Sequence, residues 1–360
     1  MNKIEFGDCR ETMRKWVSQG VKAQTCVTSP PYYGLRDYGT GKWIGGDEKC
    51  SHKRDSKYSE KTITGHANTD LTVGDAIYKS VCPKCGAIRE DKQLGLENTP
   101  EEYIKTMVEV FRCVWDVLED DGTLWVNIGD SYNGSGKGAL ADGTAAGGGK
   151  QSSNKGTQIG TFKKTDVDGL KAKDLIGIPW MLAFALRADG WFLRQDIIWH
   201  KPNPMPESMQ DRCTKAHEYI FLLSKSQKYY YDHEAIKDPV KDDWGTRDRV
   251  NGKYHNEGTG LQPHSGLEKS YEMANKRSVW TVPVKPYTGA HFAVFPSELI
   301  EPCILAGAPI GGIVLDPFMG SGTTAQVAQD LGRQYIGCEL NPAYEKLQNK
   351  RTAQQSLFFV

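Results

Sequence analysis

A strand, a glycine turn and a helix follow one another near the end of the chain, and this order restricts the fold more than any other stretch does. The apolar run at 312–315 predicts a buried strand that ends at Asp316, after which Gly320 and Gly322 predict a tight turn into a helix. Without Cβ atoms, the glycines let a ligand approach the free N–H groups of the helix N-terminus. The next predicted strand ends at Glu339, and an acid about 20 residues past such a turn suits a ribose diol. The spacing lacks the full dinucleotide fingerprint, so an ordinary strand-to-helix turn is the alternative.

The overall composition is that of an ordinary soluble protein. The 360 residues are 38% hydrophobic, which is enough for one large domain with insertions or for two domains. Lys and Arg together number 45, as do Asp and Glu, so a nucleic acid would bind a local basic face and not a global positive field. No apolar run approaches ~18–20 residues and the N-terminus lacks a signal sequence, so we expect a cytoplasmic protein with no membrane partner. Nine scattered cysteines favour reduced thiols or a metal cluster over disulfides.

A proline-rich motif follows an early strand. The strand predicted at 24–27 runs through Thr28 into Ser29-Pro30-Pro31-Tyr32. The two prolines fix φ and remove two backbone donors, so we expect a rigid loop with carbonyl groups pointing into a pocket at the carboxyl end of the strand. Taken alone, the motif would also suit a proline-rich surface turn.

The two motifs together resemble those of a known family. Residues 28–32 resemble the catalytic motif of the methyltransferases that act on exocyclic amines of DNA bases, and residues 316–324 resemble their S-adenosylmethionine loop. The catalytic motif comes first, as in the permuted beta group of that family, and residues 295–300 resemble the additional cofactor segment of that group. The resemblance implies an α/β fold with a Rossmann-like sheet of seven mostly parallel strands, S-adenosylmethionine as cofactor, and double-stranded DNA as partner.

The same resemblance implies which residues hold the cofactor. Glu339 would bind its ribose, Asp8 would lie near its adenine amine, and the cofactor and base pockets would meet between Ser29 and Phe318. The full implied set is Asp8, Ser297, Asp316, Phe318, Gly320, Ser321, Gly322, Thr323 and Glu339.

The chemistry of an exocyclic amine explains the use of the proline motif. The lone pair of such an amine is delocalised into the base, and within a duplex the amine cannot reach a methyl donor, so the base has to be flipped out. The resemblance assigns catalysis to Ser29, Pro30, Pro31 and Tyr32. The Ser29 hydroxyl and the Pro30 carbonyl would accept the two amine hydrogens. Tyr32 would stack on the flipped ring, a contact worth roughly 1–3 kcal/mol in single-strand binders.

The first residue of the motif bears on the target base. Serine at this position resembles the cytosine-N4 members of the family, and adenine N6 is the alternative. More distant alternatives are a methyltransferase acting on RNA or on protein glutamine, and a catalytically silent DNA-binding module organised by zinc. In a restriction-modification system, the protein partner of such an enzyme would be a cognate restriction nuclease, whereas an orphan phage-type enzyme has none. The chain could also form a homodimer.

An insertion after the proline motif carries cysteines with metal-ligand spacing. Cys82 and Cys85 form a Cys-x-x-Cys knuckle, and Cys50 with His52 would complete a tetrahedral zinc site. His66 is an alternative to His52, and a reduced cysteine pair in a polar loop is the alternative to any metal. A structural zinc ion would stabilise an insertion that has little core of its own.

The remaining stretches complete the predicted organisation. Small and polar residues at 133–160 predict a mobile loop, and the polar, basic stretch at 236–289 resembles the target-recognition region of the family. The predicted order is catalytic core at 1–40, zinc-binding insertion at 41–94, core at 95–235, target-recognition region at 236–289 and core at 290–360. Seven strands are predicted, around Ile4, Cys26, Leu124, Ile197, Tyr219, Val314 and Tyr335.

Overall fold

The structure is a computed structural model that describes most of the predicted core. The described residues are 1–34, 41–52, 81–90, 93–133, 167, 169–207, 209–239, 273–285 and 295–353. Three parts of the sequence predictions lie outside them: His66, residues 134–160 of the predicted mobile loop, and residues 240–272 and 286–289 of the predicted target-recognition region.

Twelve strands are present among the described residues. They are β1 (Lys3–Phe6), β2 (Ala23–Thr28), β3 (Lys42–Ile44), β4 (Ile88–Glu90), β5 (Leu118–Ile128), β6 (Phe192–His200), β7 (His217–Ser224), β8 (Asp238–Pro239), β9 (Met273–Ala274), β10 (Val279–Thr281), β11 (Ile313–Asp316) and β12 (Gln334–Glu339). Eight of them form the central sheet in the order β1-β12-β11-β2-β5-β7-β6-β10. All neighbouring pairs in this sheet are parallel except those of β7, which runs antiparallel to β5 and β6.

The sheet confirms the predicted α/β fold and corrects one detail. All seven predicted strands are present, but the sheet has an eighth, β10, beside β6. With only three residues, β10 is too short to show the alternation by which a strand is recognised in sequence. Its pairing with β6 buries the side chain of Trp280, which fixes this edge of the sheet.

In the described part of the chain, six α-helices accompany the sheet. They are α1 (Cys9–Ser18), α2 (Pro100–Val117), α3 (Ile178–Ala188), α4 (Ser297–Gly307), α5 (Thr323–Asp330) and α6 (Glu345–Ala353). Alternate strand residues face two separate cores: Leu124 packs with residues of α1, α2 and α3, and its neighbour Trp125 packs with residues of α4 and α5. Thr99 caps α2, because its hydroxyl accepts a hydrogen bond from the Glu102 N–H at 3.1 Å.

The topology brings the functional motifs to one edge of the sheet. Because β2, β5, β11 and β12 are parallel, the residues that follow each of them lie at the same edge. The antiparallel strand β7 begins at this edge. The head and tail of the chain also meet here, since Phe6 of β1 is in register with Glu339 of β12.

Among the described strands, two smaller sheets lie outside the central one. Strands β3 and β4 pair antiparallel within the cysteine-bearing insertion, and β8 pairs antiparallel with β9. Across the described ranges, no helix is both long enough and apolar enough to cross a membrane.

Candidate active site

The carboxylate of Asp316 joins the two sequence motifs. It accepts hydrogen bonds from the Thr28 hydroxyl at 2.6 Å, the Thr324 hydroxyl at 2.6 Å and the Phe318 N–H at 2.9 Å. Thr28 ends β2 immediately before Ser29, so this one carboxylate connects the proline loop to the glycine turn. Asp316 is 1% exposed, and burial raises its pKa to about 6 because the three hydrogen bonds replace only part of its hydration.

A second buried carboxylate, that of Glu339, holds the glycine turn. It accepts hydrogen bonds from the N–H groups of Gly320 and Asn341, both at 2.8 Å. Gly320 has φ of 54°, in the left-handed region that favours glycine. Burial raises the pKa of Glu339 to about 7. Glu339 therefore ends β12, beside the strand that ends at Asp316, as an acid that a cationic or hydroxyl-rich ligand would stabilise in its charged form.

The start of α5 has unfilled hydrogen-bonding capacity. Ser321 is 2% exposed, and within the described part of the chain its hydroxyl is one of two buried side-chain polar atoms without a hydrogen-bond partner. Gly322 precedes the helix with φ of 87° and has no side chain to cap it, while the Thr323 hydroxyl accepts a hydrogen bond from Arg351 at 2.6 Å. The unpaired hydroxyl, the close-approach turn and the buried acids fit a ligand with the polar and cationic groups of S-adenosylmethionine.

Two other residues predicted to bind the cofactor lie where helices begin. Asp8 follows β1 and caps α1, where its carboxylate accepts a hydrogen bond from the Arg10 N–H at 2.8 Å and pairs with the Arg10 guanidinium at 2.7 Å. The sequence did not indicate this pairing, which partly neutralises Asp8. Ser297 is exposed as the first residue of α4, the helix that leads back to β11.

The proline loop is fixed by contacts on both sides. Pro30 is buried, and the Pro31 carbonyl accepts a hydrogen bond from the Tyr103 hydroxyl of α2 at 2.9 Å. Gly95 lies against the other side with φ of 91°, and a Cβ atom there would lie 2.9 Å from the Tyr32 carbonyl oxygen. The Pro31 carbonyl therefore holds the loop against α2, a use that the sequence did not predict.

Three residues outside both motifs complete the edge around Tyr32. The Tyr32 hydroxyl donates to the Glu218 carboxylate at 2.7 Å and lies 3.3 Å from the Asn127 amide oxygen. The half-buried Ser29 hydroxyl lies close enough to this phenol to influence its pKa, and the Lys201 ammonium pairs with Glu218. Sequence reasoning missed Glu218 because the start of a strand faces the site only if that strand is antiparallel, as β7 is. Asn127 lies near the end of β5 and Lys201 directly follows β6, and both of these strands end at this edge. The polar pair at 217–218 before an apolar run was the available signal.

Four predicted metal ligands come together beside the β3–β4 hairpin. The ligand atoms of Cys50, His52, Cys82 and Cys85 all lie within 4.8 Å of one another. Cys50 Sγ is 3.8 Å from Cys82 Sγ, and Cys85 Sγ is 3.5 Å from His52 Nδ1. Tetrahedral zinc, with Zn–S of about 2.3 Å and Zn–N of about 2.0–2.1 Å, would separate two sulfurs by about 3.8 Å and a sulfur from a nitrogen by about 3.6 Å. The observed distances therefore suit one tetrahedral ion.

Known proteins resemble the chain over nearly its whole length. The sequence profile of the DNA methylase family matches residues 23–350, which include both motifs. Type II methyltransferase M.SmaI from Serratia marcescens is 40% identical over 352 residues, covering 97% of this chain and 90% of that protein. Type II methyltransferase M.Cfr9I from Citrobacter freundii is 40% identical over 338 residues, covering 94% of this chain and 83% of that protein.

Solved structures share the fold at lower identity. The cytosine-N4-specific PvuII DNA methyltransferase has a TM-score of 0.52 and 15% identity, covering 99% of this chain and 88% of that one. A putative DNA modification methylase from Thermus thermophilus, in complex with S-adenosyl-L-methionine, has a TM-score of 0.51 and 20% identity, covering 100% of this chain and 96% of that one. The likeness confirms the predicted fold class.

Proposed function

The chain belongs to the DNA methylase family of the N6 and N4 type, and we propose that it transfers a methyl group from S-adenosylmethionine to N4 of a flipped-out cytosine in double-stranded DNA. One observation carries the proposal: the Asp316 carboxylate of the glycine turn accepts a hydrogen bond from Thr28, 2.6 Å away, directly before Ser29. A donor in the turn and a base at the proline loop would therefore share one pocket.

The residues of the proline loop act on the base amine. Bound S-adenosylmethionine supplies an electrophilic methyl group on a sulfonium centre. The Ser29 hydroxyl and the Pro30 carbonyl accept the two amine hydrogens, which orients the nitrogen lone pair toward that methyl group. As the N–CH₃ bond forms, the sulfur–methyl bond of the donor would break with its electron pair staying on sulfur. The nitrogen would release one of these hydrogens as a proton to solvent water, and no covalent bond to the protein is needed. Tyr32, held through its hydroxyl, stacks on the base.

The glycine turn binds and orients the donor. The carboxylate of Glu339 lies within the turn, where a ribose diol would donate hydrogen bonds to it. The unpaired Ser321 hydroxyl offers a further polar contact. Asp316 acts differently, because its oxygens accept three internal hydrogen bonds and it is nearly inaccessible. Its part is to keep the turn and the proline loop in fixed relation.

The choice of cytosine rests on Ser29. A serine hydroxyl at the first motif position resembles the cytosine-N4 members, and the same fold carries cytosine-N4 methylation in the PvuII methyltransferase. Adenine N6 is the second candidate, since both bases present an exocyclic amine of the same geometry to the Pro30 carbonyl.

The identity of the methylated base tests the proposal directly. Purified protein is incubated with duplex DNA of mixed sequence and S-adenosylmethionine carrying an isotopically labelled methyl group, and the DNA is digested to nucleosides for mass spectrometry. We expect labelled N4-methylcytosine. Labelled N6-methyladenine would replace the cytosine assignment and keep the family chemistry. Label in RNA or protein, with none in DNA, would overturn the proposal.

We further propose that Cys50, His52, Cys82 and Cys85 bind a structural zinc ion. The ligand distances fit tetrahedral coordination, and the indole of Trp43 stacks on the His52 ring with centroids 4.4 Å apart. The segment that follows this insertion contacts the chain just after the proline loop: the carbonyl of Gly95 accepts a hydrogen bond from the N–H of Gly34 at 2.9 Å. A metal that orders the insertion would therefore also support the proline loop from outside.

The metal content of cysteine variants checks this zinc site. We expect about one zinc ion per purified chain, and markedly less in Cys82→Ser together with a lower melting temperature, because the site loses a buried thiolate. Elemental mass spectrometry measures the first quantity and differential scanning fluorimetry the second. Cys213→Ser is the matched control, since Cys213 is exposed and is not one of the four clustered ligands. Equal zinc content in the two variants would contradict the site.

A further inference from the structure

We propose that Glu218 is a positioning residue that fixes the ring of Tyr32 at the angle required to stack on the target base. The proposal rests on the proposed function, because it concerns how the base is held during methyl transfer. It adds to that function a residue that lies outside both sequence motifs and does not itself touch the reacting atoms.

Glu218 reaches the proline loop from another part of the sheet. It is the second residue of β7, whose antiparallel direction places its start at the edge where β5 ends. One carboxylate oxygen accepts hydrogen bonds from the Tyr32 hydroxyl at 2.7 Å and from the Asn127 amide at 3.4 Å. The other oxygen pairs with the ammonium group of Lys201, which follows β6. Four separate segments of the chain therefore meet at this carboxylate.

The contact to Tyr32 is a charge-assisted hydrogen bond. The side chains of Glu218 and Lys201 are 16% and 17% exposed, so water screens the pair only weakly. The Lys201 ammonium also lies 4.2 Å from the centroid of the Trp199 ring, which restrains it from a second direction. Burial, and after it the charge of Glu218, raises the pKa of Tyr32 well above its usual value, so the phenol stays protonated and donates.

Gly129 restrains the same ring at its edge. A Cβ atom at Gly129 would lie 2.8 Å from Cε2 of Tyr32, so the ring packs directly against the backbone that follows β5. A tyrosine tethered at its hydroxyl and packed along one edge presents a single plane to an incoming base. Without the hydrogen bond to Glu218, the Tyr32 side chain could rotate, and this rotation would have to stop when the base binds. Methyl transfer depends on the alignment of the base, so loss of the hydrogen bond would slow it.

A double-mutant cycle tests whether Glu218 acts through the Tyr32 hydroxyl. Single-turnover methyl transfer to duplex DNA is measured for the unmodified protein, Glu218→Gln, Tyr32→Phe and the double variant. We expect Glu218→Gln to slow transfer about 10-fold, because its amide oxygen can still accept from the Tyr32 hydroxyl but lacks the charge that makes this hydrogen bond about twice as strong. In the Tyr32→Phe background, the same substitution should add almost nothing, because the hydroxyl that it serves is gone. The cofactor dissociation constant should stay unchanged throughout.

Control variants separate positioning from general structure. Like Glu218, Glu207 pairs with a basic side chain: its carboxylate oxygen lies 2.6 Å from a guanidinium nitrogen of Arg212. Glu207→Gln should therefore transfer methyl groups at the unmodified rate. Glu218→Asp keeps the charge for Lys201 but shortens the reach to Tyr32, so it should slow transfer in the same way if Glu218→Gln does not fold. Equal slowing in both Tyr32 backgrounds, or no slowing at all, would overturn the proposal. If the proposed function itself is wrong, the result is different: the unmodified protein will not methylate DNA at all.

Discussion

Ser29→Ala is expected to slow methyl transfer by about 100- to 1000-fold, the loss typical of removing one oriented hydrogen-bonding group from a reacting centre. The physical reason is that one amine hydrogen of the base loses its acceptor, so the lone pair is no longer directed to the methyl group. Single-turnover incorporation of labelled methyl groups into duplex DNA measures this rate. Affinity for S-adenosylmethionine, measured by calorimetry, should change little, because Ser29 belongs to the proline loop and not to the glycine turn.

A matched substitution elsewhere shows whether the effect belongs to the site. Ser18→Ala removes an exposed hydroxyl at the end of α1, where it donates to the Lys15 carbonyl at 2.7 Å, and should transfer methyl groups at the unmodified rate. If Ser29→Ala and Ser18→Ala are equally active, the amine acceptor is not the Ser29 hydroxyl. Loss of cofactor affinity in Ser29→Ala would instead place that residue in donor binding.

The sequence predicted those parts of the site that depend on local order. Buried strands are runs of apolar residues, so the strands ending at Thr28, Asp316 and Glu339 could be located without a structure. Parallel strands end at one edge, and this rule agrees with the family resemblance in bringing the proline motif close to the glycine turn. The register of β2 and β11, with Leu315 opposite Cys26, bears out that adjacency.

The sequence could not predict contacts that depend on strand direction. An apolar run has the same pattern in a parallel and an antiparallel strand, so the polar pair at the start of β7 could not by itself show that Glu218 faces Tyr32. The sequence also could not show that the Asp316 carboxylate has a structural role, because that role depends on which strands pack together. Its spacing from the glycines resembles a cofactor contact, yet its oxygens are occupied by the hydroxyls of Thr28 and Thr324 and by a backbone N–H. Only the packing of two strands reveals these partners.

The cysteine cluster shows how irregular spacing can still be informative. Cys50 and Cys82 are far apart in sequence, and they lie close together beside the antiparallel pair of β3 and β4, in which Trp43 is opposite Arg89. The sequence could specify ligand types but not this pairing. It also left His52 and His66 as alternatives, and the ring of His52 lies with the three thiols, whereas His66 is outside the described residues.

Asp316→Ala is expected to lower both stability and cofactor affinity, the broadest effect of any single change at the site. The substitution leaves two hydroxyls and the Phe318 N–H without their acceptor, and each unsatisfied buried group costs about 1–3 kcal/mol. Allowing for hydroxyl rotation, we expect the free energy of unfolding to fall by about 2–5 kcal/mol and the affinity for S-adenosylmethionine to fall at least about 100-fold. Urea unfolding and calorimetry measure the two quantities.

Asp316→Asn separates the shape of this side chain from its charge. The amide oxygen can still accept from the Phe318 N–H, and the amide group can donate to a rotated hydroxyl of Thr324, so the turn should persist. Because the folded-state pKa of Asp316 is about 6, above the ordinary 3.8, ionisation costs the folded protein stability as the pH rises through that interval. Removing the charge therefore offsets part of the lost hydrogen bonding at neutral pH, and Asp316→Asn should be clearly more stable than Asp316→Ala. Equal loss in both variants would mean that the negative charge, and not the hydrogen-bonded link between the two loops, is what the site requires.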